Sequence, residues 1–448
     1  METTPRSQPS QKLPVAVIGA GPVGLAAAAH LIGRGEEPLV LESGPAVGAN
    51  ILEWAHVRIF SPWSYNVDDA SAALLEAQGW LRPDPAEHPT GGELVERYLA
   101  PLAATPELAP RIRLGSRVEA VGRLGFDKMK TVGRDGAPFV LQIRRQDGGE
   151  EAVLARAVID ASGTWSKPNP LGAGGLPALG EKAAADRIFY GIPDVLGLYR
   201  ERYAGRTVMV VGSGHSAFNA LLDLARLAKE EPGTQVVWAV RRPSLEKIFG
   251  GGEHDQLAAR GLLGQHVRKA LGSDAVRLLT SFKIQEIVRQ GEGLVVIGED
   301  GRSERVDEIV AATGFRPDLE LLRELRLDLD PAVESPAVLA PMIDPNVHSC
   351  GTVRPHGFEE LKHPEKDFYV VGMKSYGRAP TFLLRTGYEQ VRSVVAALAG
   401  DLAAAREVRL VLPETGVCSG GSLPGVAAAA ACCAPLVTTI GAKAASCC

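Results

Sequence analysis

Apolar and polar positions along the chain fall into two similar units. Residues 15–18, VAVI, carry no polar side chain and predict a buried strand. A glycine turn follows, then an Ala-rich helix to about Ile32, and a second apolar run that ends on Glu42. Residues 43–68, rich in Gly, Pro and aromatics, predict a long loop. Trp54, Trp63 and Tyr65 are there either as an apolar wall or as core under the loop. Residues 70–101 have a helical pattern broken at the Pro-rich stretch 82–89. Apolar stretches at 112–121, 139–143 and 152–160 predict a small antiparallel ribbon returning to a parallel sheet, and VIDASGTW, 158–165, ends that return. The opening pattern then repeats over 206–226, with a further strand at 235–240. An insertion over 243–275 carries Gly250 to Gly252, His254, Asp255, Arg260 and His266, and reads as a lid or a surface excursion. Strand-like pieces at 275–297 precede EIVAATGFRPD, 308–318, which reads as the return to the first unit. A strand, Gly turn and amphipathic helix close the pattern over 367–398.

The glycines turn this pattern into chemistry. In the first unit Gly19 suits a tight turn, Gly21 lets backbone N–H groups approach a pyrophosphate, and Gly24 lets helix and strand pack closely. Glu42, 18 residues beyond Gly24, is placed to accept hydrogen bonds from ribose hydroxyls and to repel a 2′-phosphate, which favours FAD or NAD over NADP. In the second unit Gly212, Gly214 and Ala217 take the three positions, and the following strand ends in Arg241 and Arg242. Two guanidiniums where a ribose carboxylate would stand suit a 2′-phosphate, so this site is predicted to take NADPH.

At 448 residues the chain is too long for one core, and its 45% hydrophobic and 23% charged residues are those of a globular protein. A net charge of −5 gives no reason to expect nucleic acid or an anionic membrane as partner. The N-terminal stretch lacks an apolar signal region, so the sequence predicts a cytoplasmic protein. The uncharged stretch 423–442, with Pro424 and Pro435, makes a poor membrane span. Residues 1–349 contain no cysteine, and all six cysteines lie in the last quarter. In a reducing compartment such clustering points to metal binding or redox work. His348, Cys350 and His356 lack a fourth ligand at a known spacing and read as a loop.

Two fingerprints of unequal preference, the second inserted within the first unit, with Ala-Ser-Gly and Ala-Thr-Gly crossovers, resemble the two-dinucleotide-binding-domain flavoproteins. Thioredoxin reductase, glutathione-reductase-like enzymes and class B flavin monooxygenases share this plan. The resemblance implies an α/β fold of two Rossmann-like domains, the NADPH domain inserted in a discontinuous FAD domain, plus a flexible Cys-containing C-terminal tail. The expected boundaries are 13–170 and 311–412 for the FAD domain, 171–310 for the NADPH domain and 413–448 for the tail. FAD would take Gly19, Gly21, Gly24, Glu42, Gly48, Val118, Ser162, Gly163, Gly372 and Met373. NADPH would take Gly212, Gly214, Ser216, Ala217, Arg241 and Arg242, with Thr313 and Gly314 on the second crossover.

Departures from the plan choose between branches. The regions where disulfide reductases keep a cysteine pair hold none here, which makes oxygen the favoured acceptor of electrons. The FxGxxxH-type stretch of class B monooxygenases is represented by FYGIPDV, 189–195, which keeps Phe189 and Gly191 but has Val195 in place of the histidine. The reductases' final Gly-Asp is replaced by Gly372 and Met373. GANILEWAHVRIFSPW, FGGGEHDQLAARGLLG, VRPHG, VGMKSYGRAPTFLLRTGYEQ and the cysteine-ending tail are similar to bacterial flavoprotein monooxygenases found with arsenic-resistance functions. That implies NADPH-dependent oxidation of arsenite or antimonite by O₂ through a flavin hydroperoxide, with an inorganic or other small-molecule substrate, no nucleic-acid or membrane partner, and room for an oligomer. Arg58, Lys374, Tyr376 and Arg378 are the candidates beside the flavin. Cys418, Cys432, Cys433, Cys447 and Cys448 are soft thiolate ligands on a tether, suited to a thiophilic ion. A reductase working through those cysteines and a metalloid-binding flavoprotein without turnover are the alternatives.

Overall fold

The computed structural model describes residues 12–245, 248–249, 257–271, 276–347, 353–380 and 382–410. The first unit holds β1 (Val15–Ile18), β2 (Pro38–Leu41), β3 (Ile112–Arg113), the ribbon β4 (Ser116–Arg123), β5 (Phe139–Arg145) and β6 (Glu150–Ala155), and β7 (Ala157–Asp160). Next come β8 (Ile188–Tyr190), β9 (Thr207–Val211), β10 (Gln235–Ala239) and β11 (Val276–Leu279). A second ribbon, β12 (Ile284–Gln290), β13 (Gly293–Gly298) and β14 (Ser303–Val306), leads to β15 (Glu308–Ala311), and β16 (Phe368–Val370) follows.

These strands form two parallel five-stranded sheets, β16-β7-β1-β2-β3 and β11-β10-β9-β15-β8, and two antiparallel three-stranded ribbons. β1, β7 and β15 are buried at every position; β1 is wholly apolar, while β7 ends on Asp160 and β15 starts on Glu308. The first sheet draws its strands from residues before 161 and after 367, so the second sheet is inserted in the first, the arrangement the sequence predicts. The helix Pro22–Gly33 packs on the helix Leu384–Leu398, one from each end of the chain. Gly387 makes that approach possible, since a Cβ there would sit 2.6 Å from Val23 Cγ2.

One element differs from expectation. The run 308–318 was predicted to return the chain to the first unit, but β15 lies between β9 and β8 in the second sheet, and the return begins after it. Apolar strands look alike in either sheet; the partner decides. Glu308, buried at the start of β15, is held there by Arg187 (2.9 Å) and Arg202 (2.7 Å). The two crossovers between the sheets are laced together: Asn169 N donates to Gly314 O at 2.9 Å, Thr313 Oγ1 to Asn169 O at 2.6 Å, and Arg316 N to Lys167 O at 3.0 Å. Of the insertion, the helix Ala258–Leu271 packs on the helix His215–Glu230 with Arg260 buried, while His266 is exposed. Gly250 to Gly252, His254 and Asp255 lie outside the described residues. Among the described residues no helix is long and apolar enough to cross a membrane.

The first ribbon is tied to the loop before β16 by a buried charge cluster. Glu365 receives Arg123 Nε at 2.8 Å, Arg134 Nη1 at 2.7 and 2.6 Å, and the Arg326 amide at 3.0 Å, while the Arg123 guanidinium lies 3.6 Å from the Phe139 ring centroid. Burial pushes the Glu365 carboxyl up, but the Arg326 amide and the two arginines outweigh it and hold it below its ordinary value. Its contribution is therefore present above the ordinary carboxylate range and is lost as pH falls through the lowered value. Glu365→Gln, which leaves two buried guanidiniums without their anion, should destabilise the protein by about 3–5 kcal/mol in urea unfolding at neutral pH. The difference from the parent should shrink in acid.

Candidate functional site

The same turn follows a central strand of each sheet, β1 in the first and β9 in the second. Gly19 has φ +98°, and a Cβ there would sit 2.9 Å from Ala161 O on the crossover after β7. Gly212 has φ +131°, and a Cβ there would collide with Ala312 O on the crossover after β15. Both positions therefore need glycine twice over, for conformation and for space. In the third position a Cβ on Gly24 would collide with Gly19 O, while Ala217 is fully buried in its helix. The middle glycines differ in kind: a Cβ on Gly21 or Gly214 would meet nothing within 4 Å. These two face open space, and the helices that start there, Pro22–Gly33 and His215–Glu230, have no side-chain cap. An uncapped helix start beside an open, Cβ-free turn is a cradle for a pyrophosphate. Both cradles fit the dinucleotides predicted for them.

Around the first turn, Glu42 is mostly buried, and its two carboxylate oxygens accept from Ala20 N and Gly44 N, each at 2.7 Å. It thus shapes the loop while keeping lone pairs for a ribose. Gly48, in the left-handed region at φ +65°, donates its amide to Ala20 O at 3.0 Å. Val118 packs in the core beside Ile18 and Leu41. Gly163 (φ +71°) has open space where a Cβ would be, and Ser162 is partly exposed beside it. A Cβ on Gly372 (φ +68°) would sit 3.3 Å from Val23; the Gly372 amide donates to Gln390 Oε1 at 2.7 Å, and its carbonyl accepts from Ser375 Oγ at 2.7 Å. Gln390 Nε2 in turn lies 2.9 Å from His356 Nε2, and His356 Nδ1 lies 3.0 Å from Arg354 O. Burial lowers the His356 pKa and keeps the ring neutral, with the proton on Nδ1. His356 is a hydrogen-bond partner within the fold. Met373, beside Gly372, is partly exposed.

Around the second turn, Trp238 Nε1 donates to Gly212 O at 2.7 Å and Ser216 is partly exposed. Arg241 and Arg242 are exposed just beyond β10, with Arg241 Nη1 2.9 Å from Ala173 O. Thr313 and Gly314 belong to the laced crossovers. The His215 ring, in the first turn of the helix His215–Glu230, lies 5.1 Å from Phe60 of the first unit's long loop.

Of the four residues predicted beside the flavin, Lys374, Tyr376 and Arg378 come from one stretch after β16 and Arg58 from the long loop after β2. Lys374 is buried, with its ammonium 2.6 Å from Asp160 Oδ2 and 3.0 Å from Ser162 Oγ. Tyr376 is buried between His356 and Phe382, and burial pushes its hydroxyl pKa up. Arg58 is exposed and bonds His88 O, with Glu93 at 4.0 Å, and Arg378 is exposed. Trp63 is core rather than wall, while Trp54 packs 6.4 Å from Trp165, which stacks on Phe315 at 4.4 Å. Among the described residues no group of three His, Cys, Asp or Glu could hold a metal. The tail cysteines, His348 and Cys350 lie outside the described residues. The sequence reading missed Asp160, Gln390, Trp165 and Phe315; an acid closing an otherwise apolar strand was the one visible signal.

A family model described as pyridine nucleotide-disulphide oxidoreductase matches residues 16–340. The indole-3-pyruvate monooxygenase YUCCA1 of Oryza sativa subsp. japonica is 31% identical over 214 residues, 47% of this chain and 44% of that protein, so the match spans under half of that relative's length. A ferredoxin–NADP reductase of Salinispora tropica is 28% identical over 316 residues, 70% of this chain and 78% of that one. Among solved structures, DfoA bound to FAD, the desferrioxamine-pathway cadaverine monooxygenase of Erwinia amylovora, aligns with a TM-score of 0.62 over 91% of this chain and 98% of that chain at 15% identity, a likeness of fold.

The middle glycines allow a separation of binding from folding. Gly21→Val should leave the unfolding midpoint close to the parent's, because its Cβ meets no protein atom, yet the purified protein should lose its FAD absorbance. Gly24→Val, which drives a side chain into Gly19 O, should lower the midpoint as well, by the equivalent of about 1–3 kcal/mol of overpacking.

Proposed function

This chain belongs to the pyridine nucleotide-disulphide oxidoreductase family and is an FAD- and NADPH-dependent oxidoreductase; from that premise we propose that it is a monooxygenase, acting in the cytoplasm on a small soft nucleophile, with arsenite as the substrate to test first. FAD is assigned to the cradle of Gly19, Gly21, Gly24 and Glu42, and NADPH to that of Gly212, Gly214, Ser216 and Ala217 with Arg241 and Arg242 on the 2′-phosphate. The observation that carries the monooxygenase reading is that no cysteine stands among the described residues, so no protein disulfide in the described fold waits to take electrons from a reduced flavin. A monooxygenase named among the relatives supports the same branch. The finer reading, trivalent arsenic, rests on the likeness stated from the sequence and on the thiols of the tail.

When bound, the flavin supplies the redox chemistry, accepting hydride from NADPH and passing electrons to O₂. The chain's own residues bind and orient. The uncapped helix starts neutralise the two pyrophosphates, Glu42 holds the first loop for a ribose, and Arg241 and Arg242 select the phosphorylated nucleotide. The laced crossovers fix where one cradle stands relative to the other. The paired cysteines 432–433 and 447–448 support a second reading, a reductase in which the tail accepts the electrons.

The deciding experiment follows NADPH loss, O₂ uptake and arsenate formation, with and without arsenite, for the full chain and for one ending at Leu410. Arsenite-stimulated NADPH loss with arsenate in proportion is the expected result. Turnover of a disulfide or metal ion without oxygen, lost on truncation, would replace it with the reductase. In the same assay the Arg241→Ala, Arg242→Ala double variant should raise the KM for NADPH by roughly tenfold or more, at about 1.4 kcal/mol per tenfold, and leave that for NADH nearly unchanged.

A further inference from the structure

A buried charge pair joins the two turns that border the first cradle on the side away from β2. Asp160 closes β7, the strand between β1 and β16, with Ile18 and Val370 as its neighbours in register. Its side chain is fully buried at the carboxyl edge of the sheet, the edge at which open α/β sheets bind their ligands. One carboxylate oxygen, Oδ1, accepts Ser162 N at 3.0 Å and Ser162 Oγ at 2.6 Å, which sets the bend of the first crossover. The other, Oδ2, accepts the Lys374 ammonium at 2.6 Å, and that ammonium also reaches Ser162 Oγ at 3.0 Å. Lys374 comes from the turn after β16, two residues past Gly372, and its side chain is as completely buried as its partner's.

The cost of burying two charges is several kcal/mol per ion, and an apolar pair would hold the two turns together as well. What an apolar pair would not do is place two opposite, desolvated charges beside the open side of a cofactor cradle. The crossover they shape is the one whose Ala161 and Ser162 touch the Gly19 turn, and the other turn touches Val23 in the first turn of the nucleotide helix. We propose that Lys374 is a positioning residue of the flavin site: with Asp160 it sets the crossover and balances the local charge, and so sets the reduction potential of the bound flavin. The proposal rests on the reading of the first cradle as the flavin site.

The sign of the effect follows from charge alone. Reduction adds negative charge, so an uncompensated Asp160 carboxylate disfavours it and an uncompensated Lys374 ammonium favours it. The experiment uses purified holoenzyme, with FAD content read from absorbance and the midpoint potential from equilibrium reduction against an indicator dye at fixed pH. Lys374→Met should lower the potential and weaken FAD retention. Asp160→Asn should raise the potential, the double variant should fall between the two single variants, and Lys374→Arg should keep the parent's value. A purely structural pair would move both single variants in the same direction, or neither, with FAD still bound, and either result would overturn the proposal. If Lys374→Met does not fold, the double variant must still lie below Asp160→Asn; equal potentials would sink the idea. Absence of FAD from the parent protein would instead overturn the cofactor reading and leave a distinct signature, since no variant would then have a potential to measure.

Discussion

The whole arrangement depends on how closely a strand end can approach the crossover that passes it. In the first sheet the backbone at Gly19 runs against Ala161 and Ser162; in the second, the backbone at Gly212 runs against Ala312. Neither approach leaves room for a Cβ, and both glycines have positive φ, so an ordinary side chain would be excluded by strain as well as by space. From this single constraint the rest follows. The turn is tight enough for a helix to begin at once, that helix starts without a cap, and the neighbouring crossover becomes the opposite wall of the cradle. The fold makes the same structure twice because the same backbone contact is made twice.

What could be read from the sequence was what is local. The two strand-turn-helix units lie within short stretches, and their glycines are fixed by contacts to a few neighbouring residues, so spacing alone carries them. The charges that end β2 and follow β10, Glu42 and Arg241 with Arg242, are legible for the same reason. The missed features join residues far apart in the chain. Lys374 reads as one of four candidates beside the flavin, and only the fold brings Asp160, 214 positions earlier, to 2.6 Å from it. Glu308 reads as the polar start of a strand, and its arginine partners stand 106 and 121 positions before it. Trp63 and Trp54 sit nine positions apart in one aromatic loop, yet one is core and the other meets Trp165 of the crossover. Pattern along a chain distinguishes apolar from polar; it does not say which partner a side chain meets.

Charge is distributed by the same logic. At the first cradle the acid is held by backbone amides, so both oxygens of Glu42 tie the glycine turn to the loop that follows β2. At the second, the arginines stand exposed at the strand's end, where a mobile phosphate can reach them. Three buried acids are ion-paired: Glu365 with two arginines, Glu308 with two more, Asp160 with Lys374. The first two tie peripheral pieces to the sheets, a ribbon in one case and the flank of β15 in the other. The third lies at the edge where the cofactor is read to bind, and that position separates it from a brace.

The electron acceptor is then a question about what the fold omits and what it supplies. A two-dinucleotide fold moves hydride from one cradle toward the other, and the reaction that follows is decided by what stands beside the flavin. Here the described residues offer aromatic rings, Trp54, Trp165 and Phe315, along the crossovers, and no thiol. Trp165 reaches from the first crossover to Phe315 on the second, and the nearest ring carbon lies 3.2 Å from where a Cβ on Gly191 would be. Gly191 (φ +116°) thus leaves the indole its place, where any larger residue would crowd it. Trp54, Trp165 and Phe315 pack against one another along the crossovers while each stays partly exposed. A protein disulfide needs two sulfurs at a fixed place in the fold, whereas oxygen needs only access, and no cysteine stands among the described residues.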